Sequence, residues 1–207
     1  MESRSHRQVL FGSNGGWYPE QWTASDDRVR GGSSQSYLDC SGPAACFHGR
    51  LDIGTLGGAG FASQRTVRDD WHLKLDSFAG VEVSIDPSHS DNHVYTLILK
   101  DHLLPPNRDN GREQSTMSWE FDFSTADSVP AGDDDTTYRS LFIPWGRFRP
   151  TYRGKSYRSS KPLDVSDIRR VSIMIRSFFG SQQGEFRLRI HSLTACSAPH
   201  LREPSNQ

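Results

Sequence analysis

Thirteen residues, 24–36, hold two carboxylates (Asp26, Asp27), two arginines (Arg28, Arg30), an adjacent glycine pair (Gly31, Gly32) and four serines, Ser33 and Ser34 among them. Adjacent glycines let backbone amides approach another group and permit positive φ. Serine and aspartate hydrogen-bond to backbone exposed in this way. The stretch reads as a rigid polar loop whose donors and charges face a ligand or partner. The same residues could instead satisfy one another, with Asp26 or Asp27 paired to Arg28 or Arg30, and residue chemistry leaves both readings open.

Other chemistry-bearing stretches are weighed beside it. Lys100-Asp101-His102 and Arg112-Glu113-Gln114-Ser115 are dense in charged and polar groups at neighbouring strand ends. Asp26, Asp27, Asp101 and Glu120 could do acid–base work if they converged in a cleft. In residues 140–155 arginines interleave with aromatics after a strand ending at Pro144; they could grip phosphate or a stacked base, but an end plug of aromatics with exposed arginines is preferred. His89 and His93 lie among turn formers without the convergent ligands that zinc needs. A calcium site among Asp127, Asp133, Asp134 and Asp135 lacks the ordered alternation of a calcium loop. The glycine-rich residues 57–60 lead to Arg65, and Ser63 stands where a dinucleotide fingerprint would have its third glycine, so a tight turn into a strand is expected there.

These residues must be held by extended elements. Val81, Val83 and Ile85 alternate with polar residues, as do Tyr95, Leu97 and Leu99, Trp119, Phe121 and Phe123, Ile173 and Ile175, and Phe186, Leu188 and Ile190. A period of two marks half-buried antiparallel strands. A further strand is expected over residues 46–53, with Gly49 as a bulge. The only helical candidate is residues 164–170. Trp17 and Trp22 are read as packing anchors for the polar loop. Short strands without alternating helices predict an all-β fold, an antiparallel sandwich or barrel.

With 207 residues the chain is most simply one domain: a flexible start at 1–8, a sandwich over 9–197 and a disordered tail at 198–207. The 24 basic and 25 acidic residues balance, which argues against a dominant nucleic-acid or anionic-membrane footprint. No apolar run approaches the ~20 residues of a bilayer span. The polar start carries no secretory signal, and Glu2 and an early strand leave little room for a mitochondrial leader. Cys40, Cys46 and Cys196 are therefore expected as free thiols.

Residues 26–34, then Phe47-His48-Gly49, then residues 57–65 together resemble the NADH:ubiquinone oxidoreductase (complex I) intermediate-associated protein family. Phe142-Ile143-Pro144-Trp145 with Phe148, Pro150, Arg153 and Gly154 resembles its later motif, and residues 184–190 its closing strand. The likeness runs from Trp22 to Leu193 and is strongest to the short fungal members. It implies a galactose-binding-like β-sandwich of jelly-roll type. It also implies an assembly factor or chaperone for membrane respiratory-complex intermediates, acting by binding, with no catalytic residue, metal or cofactor to carry over.

The expected binding face comprises Asp26, Asp27, Arg30, Gly31, Gly32, Ser33, Ser34, Arg65, Lys100, Asp101, Glu113 and Arg153. Its expected occupant is a protein or a carbohydrate-like ligand, bound by a monomer in the cytoplasm, with the mitochondrion as the alternative compartment. The competing function is a small-molecule cyclase or isomerase using Asp27, Asp101 or His102 inside a sandwich cavity.

Overall fold

All five alternating stretches form strands. The computed structural model describes residues 6–67, 71–111, 113–130, 137–159 and 161–197. Within them lie fourteen strands: β1 (Arg7–Gly12), β2 (Trp22–Ala24), β3 (Gln35–Asp39), β4 (Ala45–Leu51), β5 (Phe61–Thr66), β6 (Gly80–Ile85), β7 (Tyr95–Lys100), β8 (Ser118–Phe123), β9 (Val129–Pro130), β10 (Arg139–Pro144), β11 (Arg149–Tyr152), β12 (Lys155–Ser156), β13 (Arg170–Arg176) and β14 (Gly184–Cys196). The expected tail at 198–207, residues 1–5 of the expected flexible start, and Asp133 to Asp135 lie outside the described residues.

The strands make two seven-stranded antiparallel sheets, the jelly-roll sandwich expected. The first runs β3-β4-β14-β6-β10-β9, with β1 also on β14; the second runs β12-β11-β8-β7-β13-β5-β2. Their inner faces meet on Phe47, Leu51, Tyr95, Leu97, Ile143, Ile173, Ile175, Leu188 and Ile190, each at most 1% exposed. Burying one such side chain is worth about 1.5–3 kcal/mol, so this layer fixes which face of every strand points outward. Phe11, Trp17 and Trp22 stack at one end of the core, as packing anchors should.

Two local expectations need correction. Residues 164–170 form no helix: the Asp164 carboxylate accepts from the Ser166 N–H at 3.0 Å and its hydroxyl at 2.6 Å, which makes a turn, and fully buried Ile168 then bridges to Leu73. Gly49 is not a bulge, because it stays in register with Ser36 and Phe186. It is glycine because a Cβ there would lie 2.0 Å from the Gln35 carbonyl oxygen.

Candidate functional site

The polar loop closes an edge of the sandwich. Strands β3 and β2 each end a sheet, and β2 is so short that, on the side away from β13, no strand flanks Phe61 and Ser63 of β5. Asp26 and Asp27 fill that gap. The Asp26 carboxylate accepts from the Ser36 N–H (3.0 Å), the Ser36 hydroxyl (2.6 Å) and the Ser63 N–H (2.8 Å). The Asp27 carboxylate accepts from the Ser34 N–H (3.0 Å), the Ser34 hydroxyl (2.7 Å) and the Phe61 N–H (3.1 Å). Donors two residues apart on each sheet are thus bridged by two consecutive carboxylates. Asp26 is 6% exposed and Asp27 fully buried, so neither carboxylate is presented to solvent.

The glycine pair has the same explanation. Gly31, at φ 82°, ends the short 3-10 turn Asp27–Arg30 in the left-handed region. A Cβ on Gly32 would fall 2.3 Å from the Asp27 carboxylate carbon. Ser33 is on the rim, its hydroxyl accepting from Thr55 at 3.0 Å, and the Arg30 guanidinium lies 5.4 Å from the centre of the Phe61 ring.

The second sheet's outer face gathers Arg65, Lys100 and Glu113. Registers align one row across six strands: Arg149, Glu120, Ile98, Ser172, Arg65 and Thr23. Glu113, on the connection before β8, pairs with Arg65 at 3.1 Å and with Arg170 through its other oxygen. Lys100 donates to the Thr116 hydroxyl (2.9 Å) and carbonyl (3.2 Å). Burial pulls the Lys100 pKa down, and the Glu113 charge partly restores it. Arg176 reaches across β7, donating to Glu120 at 2.7 Å and to both Asp122 oxygens at 2.7 and 2.8 Å. Burial disfavours its charge, but Glu120 and Asp122 outweigh that and raise its pKa. Thr96, Ser172, Glu120 and Arg170 on this face are buried, while Arg65 and Glu113 remain partly open at its rim. A sheet face bonded this densely is pinned rather than mobile, and what it presents to solvent is the Arg65–Glu113 pair at its rim.

Two expected residues lie elsewhere. The Asp101 carboxylate accepts from the Trp119 indole (3.0 Å) and the Asp164 N–H (3.1 Å), stapling β7's end to the connection before β13. Arg153 heads the β11–β12 turn at φ 52°, with its guanidinium 5.4 Å from the Tyr152 ring centre. Arg170, Arg176 and Asp122 were not singled out from sequence. The available signal was alternation: Arg170 and Arg176 lie an even number of residues from Ser172, and so share its outward face.

An open groove of about 690 Å³ lies between β2 and β3. Tyr37, half exposed, stacks on His48 at 5.5 Å, and Arg28, Gln35 and Asp39 line the same groove. Trp22 lines it too, and its buried indole N–H has no acceptor among the described residues. Among the described residues no three His, Cys, Asp or Glu side chains cluster to hold a metal, and no helix is long and apolar enough to cross a membrane. The three cysteines are free thiols.

Known proteins were compared with this chain. The model of the family described as complex I intermediate-associated protein 30 matches residues 11–190. A Schizosaccharomyces pombe relative, described as uncharacterized protein C9E9.15, is 42% identical over 192 residues, covering 90% of this chain and 83% of that protein. The family 11 carbohydrate-binding module of the cellulosomal cellulase Lic26A-Cel5E of Clostridium thermocellum has a TM-score of 0.58 at 12% identity, over 93% of this chain and 95% of that one. At that identity the likeness is one of fold.

Proposed function

Because the chain belongs to the complex I intermediate-associated protein 30 family, we propose that it is a non-enzymatic binding module that holds a protein partner on the outer face of its second sheet. The observation that carries this is the pinned polar row, with Arg65 and Glu113 open at its rim. Fixed charges on a rigid sheet give orientation and on-rate to a complementary partner. The family's description makes a complex I assembly intermediate the first partner to test, and favours the mitochondrial compartment over the cytoplasmic one. Fractionation of tagged full-length chain decides the compartment.

Arg65 supplies the clean variant, since Glu113 keeps Arg170 when Arg65 is gone. Arg65→Glu should reduce capture of complex I intermediates from solubilised mitochondria at least about tenfold, with the melting temperature within about 2 °C. Undiminished capture would refute the assignment of this face.

The enzyme reading needs Asp27, Asp101 or His102 as an acid–base group inside a cavity. Asp27 is sealed by three donors, Asp101 holds an indole and His102 is exposed just past β7, so the geometry favours binding over that reading. A second reading has its own observation: the groove's half-exposed Tyr37 and its polar rim of Arg28, Gln35 and Asp39 suit a carbohydrate-like ligand. Titration with cellotetraose, against Tyr37→Ala as control, tests it; no saturable binding by wild type removes it.

A further inference from the structure

The turn between β13 and β14 carries Phe178 at φ 44° and Phe179 at φ 58°, followed by Gly180 at φ 91°. Bulky residues avoid the left-handed region, and two in succession are rarer still. The ring of Phe179 is 98% exposed, so it contributes nothing to the core. Glycine would meet the backbone demand more cheaply at both places. Local strain combined with a fully exposed aromatic ring is a functional signature rather than a packing one.

The turn is also stiffly braced. The Gln182 side chain donates to the Arg176 carbonyl (2.7 Å) and the Val94 carbonyl (2.8 Å) and accepts from the Val94 N–H (3.0 Å). The Ser181 hydroxyl donates to the Phe178 carbonyl at 2.9 Å, and the Ser177 N–H to the Gly60 carbonyl at 2.9 Å. An exposed ring on a braced turn binds without losing much freedom, which is how interface anchors reach high affinity.

One exposed cation, Arg30, flanks it, while the charge of Arg176 is matched by Glu120 and Asp122. The Arg176 guanidinium lies 4.8 Å from the Phe178 ring centre, Phe61 is the register partner of Arg176, and exposed Arg30 covers Phe61. Val29, 76% exposed, is on the same 3-10 turn as Arg30. This corner is continuous with the second sheet's outer face.

We infer that Phe179 is an anchor that inserts into an apolar pocket on a protein partner, with an acidic side chain beside that pocket meeting exposed Arg30. The inference rests on the reading of that outer face as protein-binding and adds where the partner is gripped. A bilayer is the weaker occupant: one ring beside one valine is little area for stable membrane attachment, and the chain's net charge is −1.

The test uses the full chain expressed in its own cells with p-benzoyl-phenylalanine at position 179, then irradiated. A discrete protein adduct is expected. Phe179→Ala is expected to lower capture of that protein at least about tenfold with an unchanged or raised melting temperature. A lipid adduct alone, no adduct, or undiminished capture by Phe179→Ala overturns the anchor. So does flotation of wild type with phosphatidylcholine–cardiolipin vesicles that is lost in Phe179→Ala. If Phe179→Ala fails to capture while Arg65→Glu captures normally, the anchor stands and the assignment of the charged row falls; the opposite pattern removes the anchor alone.

Discussion

Asp26 and Asp27 join two sheets through six short hydrogen bonds, four from backbone amides and two from hydroxyls. Removing one carboxylate strands two backbone N–H donors, each costing about 1–3 kcal/mol, while the serine hydroxyl keeps a carbonyl acceptor. Asp27→Ala should therefore lower unfolding free energy by about 3 kcal/mol or more in urea titration. Gly32→Ala should cost about 1–3 kcal/mol, because its methyl would collide with the Asp27 carboxylate. The residue types of this loop were legible in the sequence, but their target was not: an aspartate that caps a strand edge and one that faces a ligand have the same neighbours along the chain. Thiols give a third prediction at this scale. Burial raises Cys40 and Cys196 to about 11. A proton held more tightly by the folded state gives stability that is complete below the ordinary thiol value and lost as pH rises towards 11. Unfolding free energy should thus fall between about pH 9 and 11, less steeply in Cys196→Ala; an unchanged slope in that variant would remove Cys196 as a contributor.

Strand β13 shows how one element is held and what it presents. Its inward Val171, Ile173 and Ile175 enter the core, while outward Arg176 crosses β7 to grip Glu120 and Asp122 on β8. Arg176→Ala leaves Glu120, 7% exposed, with only the Thr151 hydroxyl, and should cost about 3–5 kcal/mol in a denaturant melt. Arg65→Ala, at the exposed rim, should cost no more than about 1 kcal/mol. Beyond the strand, Phe179→Gly should stabilise the fold by about 1 kcal/mol, because it relieves a left-handed phenylalanine whose ring packs on nothing. Alternation identified this strand from sequence, since a period of two is a local property. The conformation of its turn is set by Gln182 reaching back to Val94 and Arg176, and no local pattern encodes a bond of that kind. The helix expected at 164–170 fails to form for a related reason: Asp164 competes for the amides a helix would use, and Ile168 is claimed by the core.

At the scale of the whole molecule, the sandwich was legible because five of its central strands, β6, β7, β8, β13 and β14, announce themselves by alternation and the order of motifs resembles one family. The candidate site was legible only in part. Arg65, Lys100 and Glu113 are far apart in sequence, and strand order brings them to one face; Asp101 and Arg153, equally polar, point elsewhere. The partner is proposed to sit on the second sheet's outer face and not on the first's. Matched charge reversals measure that directly: Arg65→Glu on the second sheet and Arg187→Glu, exposed on the first, compared with wild type in capture of complex I assembly intermediates from solubilised mitochondria. Loss of at least about tenfold in Arg65→Glu, with Arg187→Glu near wild type, is the predicted result. Equal loss in both, or loss only in Arg187→Glu, would contradict it.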